Sequence, residues 1–211
     1  MKTVKRFLIL IAAAVILPLF FSCKNEIVIT ADNSGGYNVD SCSFNLGRAL
    51  KETIAQITDY SGQDIEESFF SEKEIARICT DTDFTDRFIS CTANSLTIKI
   101  SPAILQDTYL TSLTDEEKNY VDLLMAPSVT GEKMTPEEYR DLVASVYGEE
   151  LADEMWNAKI TLNLGCPSGK KIKKALSSKH EISHSEKRAS FEIPLVYLLS
   201  MQSSAEYSIV W

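Results

Sequence analysis

The chain has 211 residues, with 30 acidic against 21 basic residues and a formal net charge of −9. Such an acidic chain repels phosphates, which excludes nucleic acid as a partner held by a broad positive surface. The length suits one domain with a sizeable core, and no repeat or Ser/Pro-rich linker divides it.

The first 22 residues have the layout of a secretory signal. Lys2, Lys5 and Arg6 are followed by an uncharged apolar stretch at residues 7–21. This stretch is shorter than the ~20 residues that a transmembrane helix needs. We therefore predict export and removal of residues 1–22. That removal takes away three cations and no acidic residue, so the net charge falls from −9 to −12.

The residues before Cys23 resemble a lipobox, the motif that directs lipid attachment to a cysteine. Ser22 is the small residue that the motif prefers, whereas Phe20 and Phe21 depart from it. A diacylglyceryl thioether and an amide-linked chain such as palmitate would satisfy the requirement for two hydrophobic signals. We predict a lipoprotein of the bacterial cell envelope, anchored to a membrane on the periplasmic face or the cell surface, with residues 23–26 as anchor and tether. A plain signal peptide and an uncut signal anchor are the alternatives.

The pattern of residues 27–211 predicts a single α+β domain, with a mostly antiparallel sheet of hairpins and a helical middle region packed on it. Turn residues at Gly35 and Gly36 indicate a hairpin whose second strand is 37–44. Apolar residues at helical spacing predict a helix over 46–58. Turn residues at 93–94 indicate a second hairpin, between 84–92 and 96–100.

Capping boxes predict three helix starts, at Ser71, Thr114 and Thr135. The first helix is expected to run to about Cys79. The third has Pro136 at its first position, and Gly148 is expected to end or bend it. Residues 127–131 are predicted to form a loop.

The last quarter of the chain predicts several strands. Apolar residues alternate most clearly from Ile160 to Cys166, and turn residues follow at 167–169. Further strands are expected at 171–176, 188–193 and 207–211, with a short helix or an edge segment at 194–199.

Four cysteines remain if Cys23 carries lipid, and the predicted compartment permits disulfides. We expect Cys79 to pair with Cys91 and Cys42 with Cys166. Buried thiols are the alternative. No C-x-x-C motif indicates a redox or zinc site.

Residues 180–184 read His180, Glu181, Ile182, Ser183, His184, which matches the H-E-x-x-H motif of zinc hydrolases. On a helix, both imidazoles would hold zinc and Glu181 would act as the base. The flanking residues are polar and no third ligand follows, so a solvated hairpin connection is the preferred interpretation. The zinc hydrolase remains the alternative function.

Positive charge is concentrated between residues 170 and 188, which suits membrane headgroups, an acidic partner or an edge hairpin protected by lysines. These cations are Lys170, Lys171, Lys173, Lys174, Lys179, Lys187 and Arg188. The acidic cluster of Asp81, Asp83 and Asp86 lacks the order of an EF-hand and indicates a solvated loop.

The lipobox form, the acidic α+β body and the segment 125–148 together resemble uncharacterised spirochaete lipoproteins. The opening strand, the turn Ser34, Gly35, Gly36 and the next strand are similar to LppM-type lipoprotein domains, and this resemblance implies binding of an envelope lipid or another ligand. We therefore expect a non-enzymatic lipoprotein whose partners are the membrane and an envelope protein or small hydrophobic ligand. No cofactor is expected besides the covalent lipid on Cys23.

Overall fold

The computed structural model describes residues 24–43, 47–58, 81–112, 118, 122, 124–180 and 182–211. Several sequence predictions lie outside these residues: the signal at 1–22, the lipid site Cys23, the helix from Ser71 to Cys79 and the helix start at Thr114.

Five strands form one sheet, which we call sheet A, in the order β2, β1, β5, β8, β7. They are β1 (Lys24–Ala31), β2 (Tyr37–Ser43), β5 (Lys159–Gly165), β7 (Ile182–His184) and β8 (Arg188–Pro194). The predicted first hairpin is confirmed as β1 and β2. Neighbouring strands are antiparallel except for β1 and β5, which run parallel.

Four strands form a second sheet, sheet B, in the order β3, β4, β9, β6. They are β3 (Ile89–Cys91), β4 (Ser95–Ile100), β6 (Lys174–Ser177) and β9 (Ala205–Val210). All of its pairings are antiparallel. The predicted hairpin around residues 93–94 is confirmed, with a shorter first strand.

The main hydrophobic core contains residues of both sheets. Side chains alternate across each strand, so every second residue points into this core. Phe191 of sheet A and Tyr207 of sheet B are fully buried, and their rings meet edge to face with centroids 5.4 Å apart. Leu162 and Leu164 enter the same core, as their alternation predicts.

A second core lies among helices and confirms the predicted α+β class with a helical middle region. Its helices are α1 (Arg48–Thr58), α5 (Pro136–Tyr147), α6 (Glu149–Asn157) and α7 (Leu195–Leu199). Tyr139, Val143 and Met155 are buried there. Val196 of α7 joins them, and because α7 follows β8 directly, it connects the helices to sheet A. None of the described helices combines the length and the hydropathy that a membrane-spanning helix requires.

Nearby residues determine the start of α5 and the break between α5 and α6, whereas a distant carboxylate caps the start of α1. The Thr135 hydroxyl accepts a hydrogen bond from the Glu138 amide and Glu138 accepts one from the Thr135 amide, which confirms the predicted capping box. Gly148, with φ of 95°, separates α5 from α6, as predicted. The Glu154 carboxylate accepts hydrogen bonds from the first amides of α1, those of Ala49 and Leu50, at 2.9 and 3.0 Å.

Two local predictions were wrong. The predicted strand at 84–92 begins instead with the short helix α2 (Thr82–Thr85), because the Asp81 side chain accepts the amide hydrogen of Asp83 and caps a helical turn. The predicted loop at 127–131 contains the helix α4 (Pro127–Thr130), which Gly131 ends with φ of 82°. The helix α3 (Pro102–Ser112) was not predicted.

The predicted tether also requires correction. Residues 24–26 belong to β1, because they pair with residues 159–161 of β5. Residues 26–28 pair with residues 41–43 of β2 on the other side. The folded sheet therefore begins at the residue that follows Cys23.

Candidate ligand-binding site

An apolar cavity of about 210 Å³ lies between the two sheets. Its walls are inward-facing residues of β1, β2, β5 and β8 on one side and of β3 and β4 on the other, completed by residues 85, 88, 105 and 198. The lining consists of Ile27, Ile29, Val39, Thr85, Phe88, Ile89, Ile98, Ile100, Leu105, Ile160, Leu162, Ile193 and Leu198.

The cavity spans most of the length of β5, from the register of Ile160 to that of Leu164, which pairs with the lining residue Ile29. Ile27 pairs with Leu162 across β1 and β5, and Ile160 pairs with Ile193 across β5 and β8, close to where β1 and β5 begin. Beside the cavity, the aromatic rings of Phe191 and Tyr207 fill the space between the sheets, because these residues pair with the lining residues Leu162 and Ile98. Mostly aliphatic side chains line the neighbouring space, and they leave a void there.

The wall at residues 82–89 is tied to sheet A by one tyrosine. The Tyr37 hydroxyl of β2 donates to the Asp86 carboxylate and lies 2.9 Å from the Thr85 hydroxyl. Burial and the Asp86 carboxylate raise the pKa of Tyr37, so its hydroxyl keeps the proton it donates. These contacts hold Thr85 and Phe88 against the cavity.

The chemistry of the lining selects for hydrophobic ligands. Thr85 is the one polar residue among the described lining residues. The volume exceeds that of an engineered apolar cavity of about 150 Å³ that binds benzene, but is smaller than the roughly 300–1,000 Å³ of pockets that enclose drug-sized molecules. The cavity suits one alkyl chain or a small hydrophobic molecule, with any larger polar part outside.

The residues of the H-E-x-x-H motif do not form the helix that the zinc site requires. Residues 182–184 form strand β7, so their side chains alternate between faces instead of repeating every turn. His184 is exposed, and Glu181 lies outside the described residues. No group of three metal-ligating side chains occurs within the part of the chain that the structure describes.

His180 contacts two tyrosine rings, whereas the sequence predicted a solvated connection at residues 180–184. Its Nδ1 lies 2.8 Å from the Tyr207 hydroxyl, and its ring stacks on that of Tyr207 with centroids 5.9 Å apart. The Tyr197 ring meets it edge to face at 4.6 Å. Burial raises the pKa of Tyr207, so its hydroxyl stays protonated and can donate to neutral His180. Sequence reasoning missed this contact because Tyr207 lies 27 residues further on.

We predict that His180 makes the domain less stable in acid. Burial, and then the charge of Lys179, lower the pKa of His180 below its ordinary value of 6.5. The stability from neutral His180 is therefore complete above pH 6.5 and is lost as the pH falls through the lowered pKa. Urea unfolding at pH 7.5 and 5.0 measures the loss. His180→Gln should reduce this pH dependence, whereas the exposed control His184→Gln should keep it; equal profiles for both variants would contradict the assignment.

The predicted disulfide between Cys42 and Cys166 is not formed. Cys42, Cys91 and Cys166 carry thiols, and Cys79 lies outside the described residues. Cys42 of β2 pairs with Ile27, and Ile27 pairs with Leu162, so β1 separates Cys42 from β5. Cys166 follows the end of β5, four residues beyond Leu162. A bridge requires Cα atoms within about 7 Å. The Cys166 thiol instead donates to the Lys170 carbonyl oxygen at 3.3 Å.

A second depression, of about 490 Å³, lies beside His180 and has a mixed lining that includes Lys159, Ser190 and Glu192. Its lysine and glutamate form an ion pair of 2.8 Å, with more than half of each side chain exposed. Such exposed pairs contribute little energy. The apolar cavity is therefore the better candidate for ligand binding.

Comparison of the chain with protein-family models found no matching family. Comparisons with curated proteins and with solved structures found no match either. The residues and the cavity geometry are therefore the basis for assigning a function.

Proposed function

We propose that this chain is a lipid-anchored protein of the bacterial envelope that binds a hydrophobic ligand between its two sheets. The observation that carries the proposal is the apolar cavity of about 210 Å³. Burial of apolar surface yields roughly 25 cal/mol per Å², so a chain enclosed by these walls gains binding energy without any polar contact. The proposal assigns binding rather than catalysis, because the described lining offers one hydroxyl and no titratable group.

The position of the cavity supports a ligand drawn from the membrane. The first strand leads directly from Cys23, and its residues Ile27 and Ile29 line the cavity. On the proposed anchor, β1 therefore leads from the lipid surface to the wall of the cavity. A single acyl chain is the ligand class that fits both the volume and this location.

The test is binding of the fluorescent fatty acid cis-parinaric acid to residues 24–211, which include all the described elements. We predict that Val39→Phe, which fills the cavity from β2, weakens binding at least about tenfold, equivalent to 1.4 kcal/mol. Val146→Phe adds the same ring at a position that is 52% exposed and should leave binding unchanged. Thermal unfolding of each variant verifies that it is folded. Absent binding by the unchanged domain, or equal binding by both variants, would contradict the proposal.

A further inference from the structure

The end of the sandwich opposite Lys24 carries an exposed group of cations, which we call the basic end. It consists of Lys170, Lys171, Lys173, Lys174, Lys187 and Arg188. The parallel strands β1 and β5 establish its position, because both run from Lys24 and Lys159 toward Gly165, which pairs with Arg188. Seven residues of strand span about 20 Å, so the basic end is separated from the proposed anchor by the length of the sheet.

Hydrogen bonds join the two turns of the basic end into one surface. The Ile172 amide donates to the Glu186 carbonyl oxygen at 2.8 Å. The Lys187 ammonium and the Cys166 thiol both donate to the Lys170 carbonyl oxygen, at 2.7 and 3.3 Å. The lysines therefore project from a fixed backbone.

Most of this positive charge is not neutralised. Lys171 pairs with Glu186 at 2.8 Å, and among the described residues the other five cations of the basic end have no ion pair. Residues 170–188 contain seven cations and two acidic residues, so the segment has a net charge of +5 in a chain whose total is −9. Five cations therefore lie together at one end of an acidic chain without an ion pair to the described carboxylates.

Protection of a sheet edge explains only part of this arrangement. Lys174 lies on β6, the edge strand of sheet B, where a lysine discourages pairing with another chain. Lys170, Lys173 and Lys187 lie in turns, and Arg188 begins β8, which is an interior strand. A function in binding anions accounts for the whole group.

Screening allows the basic end to act independently of the acidic remainder. The Debye length is about 8 Å at physiological ionic strength, which is less than half the length of β5. A surface that touches the basic end therefore experiences its cations and little of the charge elsewhere. Five of the six are lysines, which are point charges suited to an array of phosphates rather than to bidentate pairing.

We propose that the basic end binds the anionic headgroups of a lipid surface that faces the membrane carrying the anchor. The orientation rests on the proposed lipid at Cys23, whereas the binding surface rests on the cations themselves. Each lysine or arginine near an anionic lipid surface strengthens the attraction, so the group supplies a reversible attraction that salt weakens.

The experiment reconstitutes the full lipidated chain in phosphatidylcholine vesicles and measures their capture of fluorescent vesicles. We expect capture of vesicles that contain phosphatidylglycerol, loss of capture in high salt, and none with phosphatidylcholine alone. Lys170→Glu/Lys173→Glu should reduce capture at least about tenfold. Lys99→Glu/Lys133→Glu makes the same change of charge away from the basic end and should retain it.

Each alternative result overturns a defined part of the proposal. Equal capture of neutral vesicles would mean that copies of the chain bind each other, and equal loss in both variants would mean that only total charge matters. If the chain does not float with the phosphatidylcholine vesicles in which it was reconstituted, the proposed lipid anchor at Cys23 is wrong. Direct binding of that unanchored chain to phosphatidylglycerol vesicles then decides the basic end alone, and its absence overturns the proposal.

Discussion

Replacing Cys23 with alanine is expected to abolish the lipid modification and to move the protein from the detergent phase to the aqueous phase. The thioether requires the cysteine sulfur, and no other residue can substitute for it. Each buried CH₂ of an attached chain contributes about 0.8 kcal/mol to membrane binding, so two or more chains hold a protein stably. Their loss therefore removes the main attachment.

Intact mass and detergent partitioning of the native protein and the variant test this prediction together. The native protein should show a lipid-sized mass increase, and the Cys23→Ala protein should lack it. Cys42→Ala is the matched control, since it removes a thiol from β2 and should keep both the lipid and the detergent partitioning. An unmodified Cys23 in the native protein would refute the anchor.

Truncation of Phe191 to alanine is expected to lower the free energy of unfolding by about 3–5 kcal/mol. Phe191 is completely buried, and its ring packs edge to face on Tyr207 of the opposite sheet. The substitution removes that contact and leaves a void that rigid sheets cannot close. A domain of this size has a total stability of about 5–15 kcal/mol, so the loss is a large fraction.

Urea unfolding of Phe191→Ala and of the control Val146→Ala measures this effect. Val146 is 52% exposed on α5, so its truncation should change the free energy of unfolding by no more than about 0.5 kcal/mol. A small effect at Phe191 would mean that the two sheets do not depend on each other for stability.

Elements with strong local signals were predictable from the sequence. The box of Thr135 and Glu138 determines the start of α5 through two hydrogen bonds within four residues, so no distant contact is needed. Gly148 separates two helices because its φ of 95° is unfavourable for other residues. The alternation at Leu162 and Leu164 predicted the strand from neighbouring residues alone, and both side chains enter the core.

Features that depend on distant partners were not predictable in the same way. The parallel pairing of Ile27 with Leu162 joins residues 135 positions apart, and alternation alone does not identify a partner strand. The cavity depends on which side chains face each other across the two sheets and on how much space they leave, and the sequence does not show this. His180 looked solvated because its neighbours in sequence are polar, whereas its contact Tyr207 comes from another sheet.

The start of β1 at Lys24 has a consequence for how far the protein can reach. A long flexible linker between the lipidated cysteine and the folded domain lets a lipoprotein move through a wide volume above its membrane. Such a linker is also a site where proteases can cleave. If Cys23 carries the proposed lipid, no linker separates it from the sheet, because Lys24 is already paired with Lys159. On that anchor, the dimensions of the folded domain set the distance that the protein reaches from the lipid.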